Sequence, residues 1–181
     1  MVACRYQTAS PSDSAPEIKS DSTNRQSWAY FLQHLPQSKG NILDYQGRPI
    51  VNQEKHFALI NYDVGTKDLQ QCADALIRIR AEYLFSQKRF DEIGFHFTNG
   101  TFYSWDAWCR GCRPVFATPG GRQSFMEAAL PREKTHASLR SYLNVIYAYA
   151  GTVSLCKELQ PTGKLDIGTV IIYPATPAIA A

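Results

Sequence analysis

A chain of 181 residues, 44% hydrophobic and 12% aromatic, can bury one sizeable core but is too short for two full domains. Its formal net charge of +3, from 19 basic and 16 acidic residues scattered along the chain, leaves no nucleic-acid footprint and argues against that partner class. No apolar run approaches the ~20 residues that span a bilayer, no signal peptide opens the chain, and the sequence as it stands reads as soluble.

In chain order, "MVAC" sets a small residue before Cys4, and a Ser-, Pro- and Asp-rich run that cannot pack follows it. Residues 1–22 therefore read as a disordered tail, either a plain one or the lipid-attachment site and tether of a bacterial lipoprotein anchored at Cys4. Residues 23–181 read as a single domain. In "TNRQSWAYFLQHLP", Trp28, Phe31, Leu32 and Leu35 recur at helical spacing, with Thr23 as a cap and Pro36 beyond the end. "NILDYQGRPIV" carries a hairpin signal at Gln46-Gly47, and "HFALINYD" reads as a strand. A central helix from Leu69 to Phe85 follows, with Asp68 as its cap.

"EIGFHFT" is a strand closing at the turn pair Asn99-Gly100, and "TFYSWDAW" fits either a returning strand or a short helix. Prolines and glycines between Arg113 and Lys134 predict mostly loop, and a loop of that length inside a compact domain is often functional. "THASLRSYLNVIYAYAG" is a second long helix, capped by Thr135 and stopped by Gly151, with Leu139, Tyr142, Leu143, Ile146 and Tyr147 on its apolar face. A short helix, "SLCKEL", and a last strand, "KLDIGTVIIY", complete the set. Helices and strands without a regular βαβ alternation predict an α+β fold, the central helix packed on a small antiparallel sheet.

On the central helix, Cys72, Leu76, Ile79 and Tyr83 share one face, widened by Ala73, Ile77, Ala81 and Leu84. Asp74, Arg78 and Glu82, spaced i, i+4, i+8, predict a solvated ladder of alternating charge, and Arg80 lies apart from it as a snorkelling side chain. A thiol in the first turn of a helix sits where the helix dipole favours its thiolate, the arrangement by which papain-like hydrolases place their nucleophile. Most lone helix cysteines are instead small buried hydrophobes, so the helix by itself leaves both roles open.

Five cysteines at irregular spacing do not form a disulfide framework. "WCRGCRP" invites comparison with thioredoxins, but Arg113-Pro114 cannot carry on as the helix that fold requires. A zinc site needs four ligands and only Cys109 and Cys112 lie close in sequence, so a fortuitous pair able to form a strained disulfide is the preferred reading. No metal and no cofactor is expected. Trp105, Trp108, Tyr142, Tyr147 and Tyr149 offer aromatic surface for a carbohydrate or peptide groove, although Tyr142 and Tyr147 already fall on the apolar helix face.

The phrases "FALINYDVGTKDLQQCADALIRIRAEYLFSQKRFDEIGFHFTNG", "SLRSYLNVIYAYAGTVSLCKEL" and "IGTVIIYPATP" resemble a bacterial family known as a domain of unknown function (4846), over most of the chain from Trp28 to Ala181. Many of its members look like exported proteins or lipoproteins, and the resemblance implies a place in the cell envelope or periplasm. It also implies a Pro-Gly-His-Ala-Val continuation after the Ile-Gly-x-Val strand. A Cys at a helix start and a Gly-His at a strand start are similar to papain-like cell-wall cysteine peptidases and amidases. On that likeness Cys72 is the nucleophile and the His of the pair its base. Here Pro177 matches, but Ala178 stands at the Gly position and Ile179 at the His position, with the chain ending at Ala181, which implies a C-terminally incomplete and catalytically impaired domain. Of the histidines present, His56 and His96, at strand positions, are the two that could approach Cys72; the other reading makes each a structural or surface histidine, since nothing in the sequence pairs it with the cysteine. Two functions follow: a cysteine amidase or peptidase relative, or a noncatalytic envelope protein that binds glycan, peptide or a protein partner through Phe102 to Trp108 and the loop beyond. Oligomeric state is left open.

Overall fold

The computed structural model describes residues 24–115, 124–127 and 130–172. The N-terminal tail with Cys4, the Thr23 cap and the Pro177–Ile179 positions lie outside the described residues. Five helices and three antiparallel two-stranded ribbons are described, an α+β architecture.

Helix α1 (Trp28–Gln33) starts where the Ser27 hydroxyl accepts from the Tyr30 N–H, the capping that leaves one fewer orphan donor. Its Trp28 and Phe31 rings pack on Tyr83, whose hydroxyl donates to the Gln26 carbonyl. Strand β1 (Gln37–Ser38) pairs with β2 (Leu59–Ile60). Between them the expected hairpin narrows to one bridge, Leu43 to Pro49, around a turn held by the Asp44 carboxylate. Gly47 supplies the left-handed residue of that turn at φ +78°.

Helix α2 (Cys72–Ser86) begins three residues after the predicted start, with Gln71 rather than Asp68 as its N-cap. Strand β3 (Gly94–His96) and β4 (Phe102–Ser104) form a hairpin, and α3 (Trp105–Cys109) follows directly, so the Phe102–Trp108 stretch is strand and then helix. Strands β5 (Cys112–Val115) and β6 (Ser124–Glu127) pair within the stretch predicted as loop. Pro114 is tolerated because a two-stranded ribbon has a free edge on each side. Helix α4 (His136–Tyr149) has the predicted Thr135 cap, whose hydroxyl accepts from Ser138. Gly151 does not stop it; the chain turns extended at Ala150, and Gly151 is the N-cap of α5 (Thr152–Glu158).

The predicted last strand does not form among residues 164–172. Asp166 and Thr169 close a turn on each other, and Gly168 stands at φ +95° with Trp28 directly over it. One core gathers Ala73, Ile77, Ala81 and Leu84 of α2 with Phe95 and Tyr103 of the hairpin, Trp105 of α3 and Leu139, Tyr142, Leu143 and Ile146 of α4. The sheet expected beneath α2 is thus three separate ribbons, of which β3–β4 shares its core. No helix among the described residues is long and apolar enough to cross a membrane.

Candidate functional site

The head of α2 is built by its own first turn. The Asp74 carboxylate reaches back to accept the Gln71 N–H at 2.9 Å, fixing the residue before the helix and so the direction in which Cys72 enters it. Cys72, the first helical residue, is exposed, whereas Ala73 and Asp74 next to it are buried. The apolar face predicted to include Cys72 is therefore displaced by one position, and the thiol lies outside the core.

The charged strip overturns the expected solvated ladder. Asp74 is 6% and Arg78 4% exposed, because this face of α2 meets α4 and the 62–65 segment. Arg78 donates to Glu82 at 2.5 Å and to the Asp63 carbonyl at 3.3 Å, and its guanidinium lies over the Tyr62 ring. Glu82 also accepts from His136 Nε2 at 2.9 Å, while Arg140 donates to the same Asp63 carbonyl at 2.9 Å. Two helices and the segment leading to Cys72 are thus joined through three buried or half-buried charges. Desolvation holds the Asp74 carboxyl above its usual range, against the N–H it accepts from Gln71. Burial raises the Tyr147 phenol as well. Arg80, predicted to snorkel, is half-buried with its charge over the Trp28 and Tyr83 rings at 5.5 and 5.4 Å.

The histidines are each engaged elsewhere. His56 is not on a strand: it follows a 3-10 turn, and its Nε2 faces the Gly40 carbonyl at 3.2 Å. His96 is on β3, with Nδ1 2.9 Å from Glu158 Oε1. His136 holds Glu82, and His34 stacks on Tyr30. No described histidine is bonded to Cys72.

In "WCRGCRP" Cys109 ends α3 instead of starting a helix, the reverse of the thioredoxin arrangement. Its buried thiol lies 3.8 Å from the Ser138 hydroxyl, and desolvation pushes it above the ordinary thiol value. Cys112 opens β5, and both thiols are free. Among the described residues no group of three or more His, Cys, Asp or Glu is placed to hold a metal ion. The aromatic groove shrinks, since Trp105, Trp108, Tyr142 and Tyr147 are core residues. Arg113 covers the Trp108 ring at 3.6 Å. Tyr149 stays exposed, and a shallow cleft of about 220 Å³ is lined by Phe102, Tyr103, Ser104, Ala107 and Cys112. Tyr103, whose hydroxyl donates to the Cys112 carbonyl, has its phenol pushed up to about 12 by burial.

Sequence reasoning missed the burial of Asp74 and Arg78, the partial burial of Glu82 and the partnership of His96 with Glu158. The i, i+4, i+8 spacing shows which charges share a face but not what covers them. Glu158 lies 62 residues from His96 and has no local signal.

The chain belongs to the family described as Domain of unknown function (4846), whose model matches residues 13–181. No curated protein and no solved structure matches it.

Proposed function

We propose that this chain is a cell-envelope relative of the papain-like cysteine amidases and peptidases that keeps their nucleophile position at Cys72 and has lost catalysis. The observation that supports this most directly is the exposed thiol on the first residue of the core helix. Amide hydrolysis by a thiol needs a base within about 2.6–3.2 Å to manage the proton, then an acid for the leaving amine. Here the described histidines are bonded to other groups, and Ile179 stands where the family likeness puts the base. Such a site alkylates with a good electrophile and does not turn over an amide. The substrate class, cell-wall stem peptide, the envelope location and a lipid anchor at Cys4 come with the family likeness and belong to the same proposal.

A vinyl sulfone built on a stem peptide tests this, since conjugate addition by the thiol needs no base for a leaving amine. The expected result is labelling of Cys72 about tenfold faster than by a matched vinyl sulfone without the peptide, a ~1.4 kcal/mol gain from recognition, and no hydrolysis of the corresponding amide. Equal rates with the two reagents would refute peptide recognition. Amide turnover lost in Cys72→Ala would refute the loss of catalysis.

A further inference from the structure

The outer face of the β3–β4 hairpin carries a set of groups that neither Cys72 nor the core uses. Along the register, His96 lies opposite Phe102 and Gly94 opposite Ser104, so these four share the face turned away from Phe95 and Tyr103. Gly94 has no side chain, and Phe102 lies across the space that a Cβ would fill. One side of the Phe102 ring is therefore seated on the strand backbone, while the residue remains 52% exposed. His96 sits beside it, ring centroids 5.0 Å apart.

Glu158 of α5 sets the imidazole. A carboxylate only accepts, so the His96 Nδ1 donates to it at 2.9 Å, and the His96 backbone N–H donates to the same oxygen. That leaves His96 Nε2 and Glu158 Oε2 without partners among the described residues, on side chains 39% and 21% exposed. Phe102 also forms one wall of the 220 Å³ cleft that continues past Ser104 to Ala107 and Cys112.

We propose that this face binds one pyranose ring of a glycan. An open aromatic face is the negative end of the ring quadrupole and attracts the polarised C–H bonds on the flat side of a sugar. The imidazole beside that ring, and the second oxygen of the carboxylate bonded to it, accept hydroxyl hydrogens, which an apolar ligand does not offer. Both acceptors and the platform stand on hairpin and helix, held before a ligand arrives. The inference does not rest on the reading of Cys72.

The test is a titration of the ¹⁵N- and ¹³C-labelled full chain with the β-1,4-linked tetramer of N-acetylglucosamine, followed by NMR. The expected result is saturable shifts at the His96 ring, Phe102 and Ser104. Phe102→Leu, which keeps an apolar cover over Gly94 but removes the aromatic face, weakens binding about five- to tenfold, and Cys72→Ala leaves it unchanged. Glu158→Gln, which leaves Phe102 intact, weakens it independently. Absence of shifts at 10 mM sugar (about the weakest affinity of interest), shifts that Phe102→Leu leaves unaltered, or the same residues responding to a stem peptide and not the sugar would each overturn the proposal.

Discussion

Taking Arg78 and Glu82 out of water costs each ion several kcal/mol, about what a well-made pair and its extra hydrogen bonds return. The pair is made well: Arg78 also holds the Asp63 carbonyl, and Glu82 also holds His136. Its net worth is small, but either half alone is a liability. Arg78→Leu is expected to cost about 3–5 kcal/mol by leaving Glu82 without its buried cation, read as a lower urea midpoint. Arg78→Leu with Glu82→Leu should recover much of the loss, and failure to recover would place the cost in packing instead. Asp74 gives a pH signature. Its folded carboxyl lies above the unfolded value, so the folded state binds more protons between the two. Stability tied to this group is greatest below the unfolded value and falls as pH rises through the raised one. Asp74→Asn should therefore gain on the parent protein as pH rises above the ordinary carboxylate range; urea midpoints of the two that run parallel from acid to neutral pH would contradict it.

Elements whose signals are local were legible. Helix α4 was, because the cap Thr135 and the apolar spacing to Tyr147 sit within one segment. Helix α2 and the cysteine near its head are legible too, but its buried side is not, since only α4 and the 62–65 segment decide that Asp74, Arg78 and Glu82 face inward. The β5–β6 ribbon was hidden by Pro114, and its pairing is not written in either strand alone. Residues 164–172 alternate like a strand, yet Gly168 adopts a left-handed φ beneath Trp28, a contact across some 140 residues. Two glycine substitutions test these packings. Gly168→Ala combines an unfavourable φ with a collision on Trp28, and about 1–3 kcal/mol is expected. Gly94→Ala pushes the Phe102 ring off the hairpin at about 1–3 kcal/mol and is expected to perturb the His96 ring resonances. A thermal midpoint unchanged in either variant would contradict the contact it probes.

At the scale of the molecule, one core built by α2, the β3–β4 hairpin, α3 and α4 divides the cysteines. Cys109 is inside it, against Ser138; Cys112 and Cys156 are partly covered; Cys72 stands outside at the head of the helix the core is built on. The candidate site was legible as far as Cys72, because a helix start is a local signal. The engagement of His56 and His96 was not, because Gly40 and Glu158 reach them only through the fold. The central claim is that the fold presents the Cys72 thiol, and the direct measurement is a time course of iodoacetamide alkylation of the folded chain at pH 7 and pH 8 with peptide mapping. The account predicts that Cys72 is modified before Cys112 and Cys156, and Cys109 only on unfolding. Protection of Cys72 at both pH values, with Cys112 or Cys156 reacting first, would contradict it and remove the ground for a hydrolase lineage.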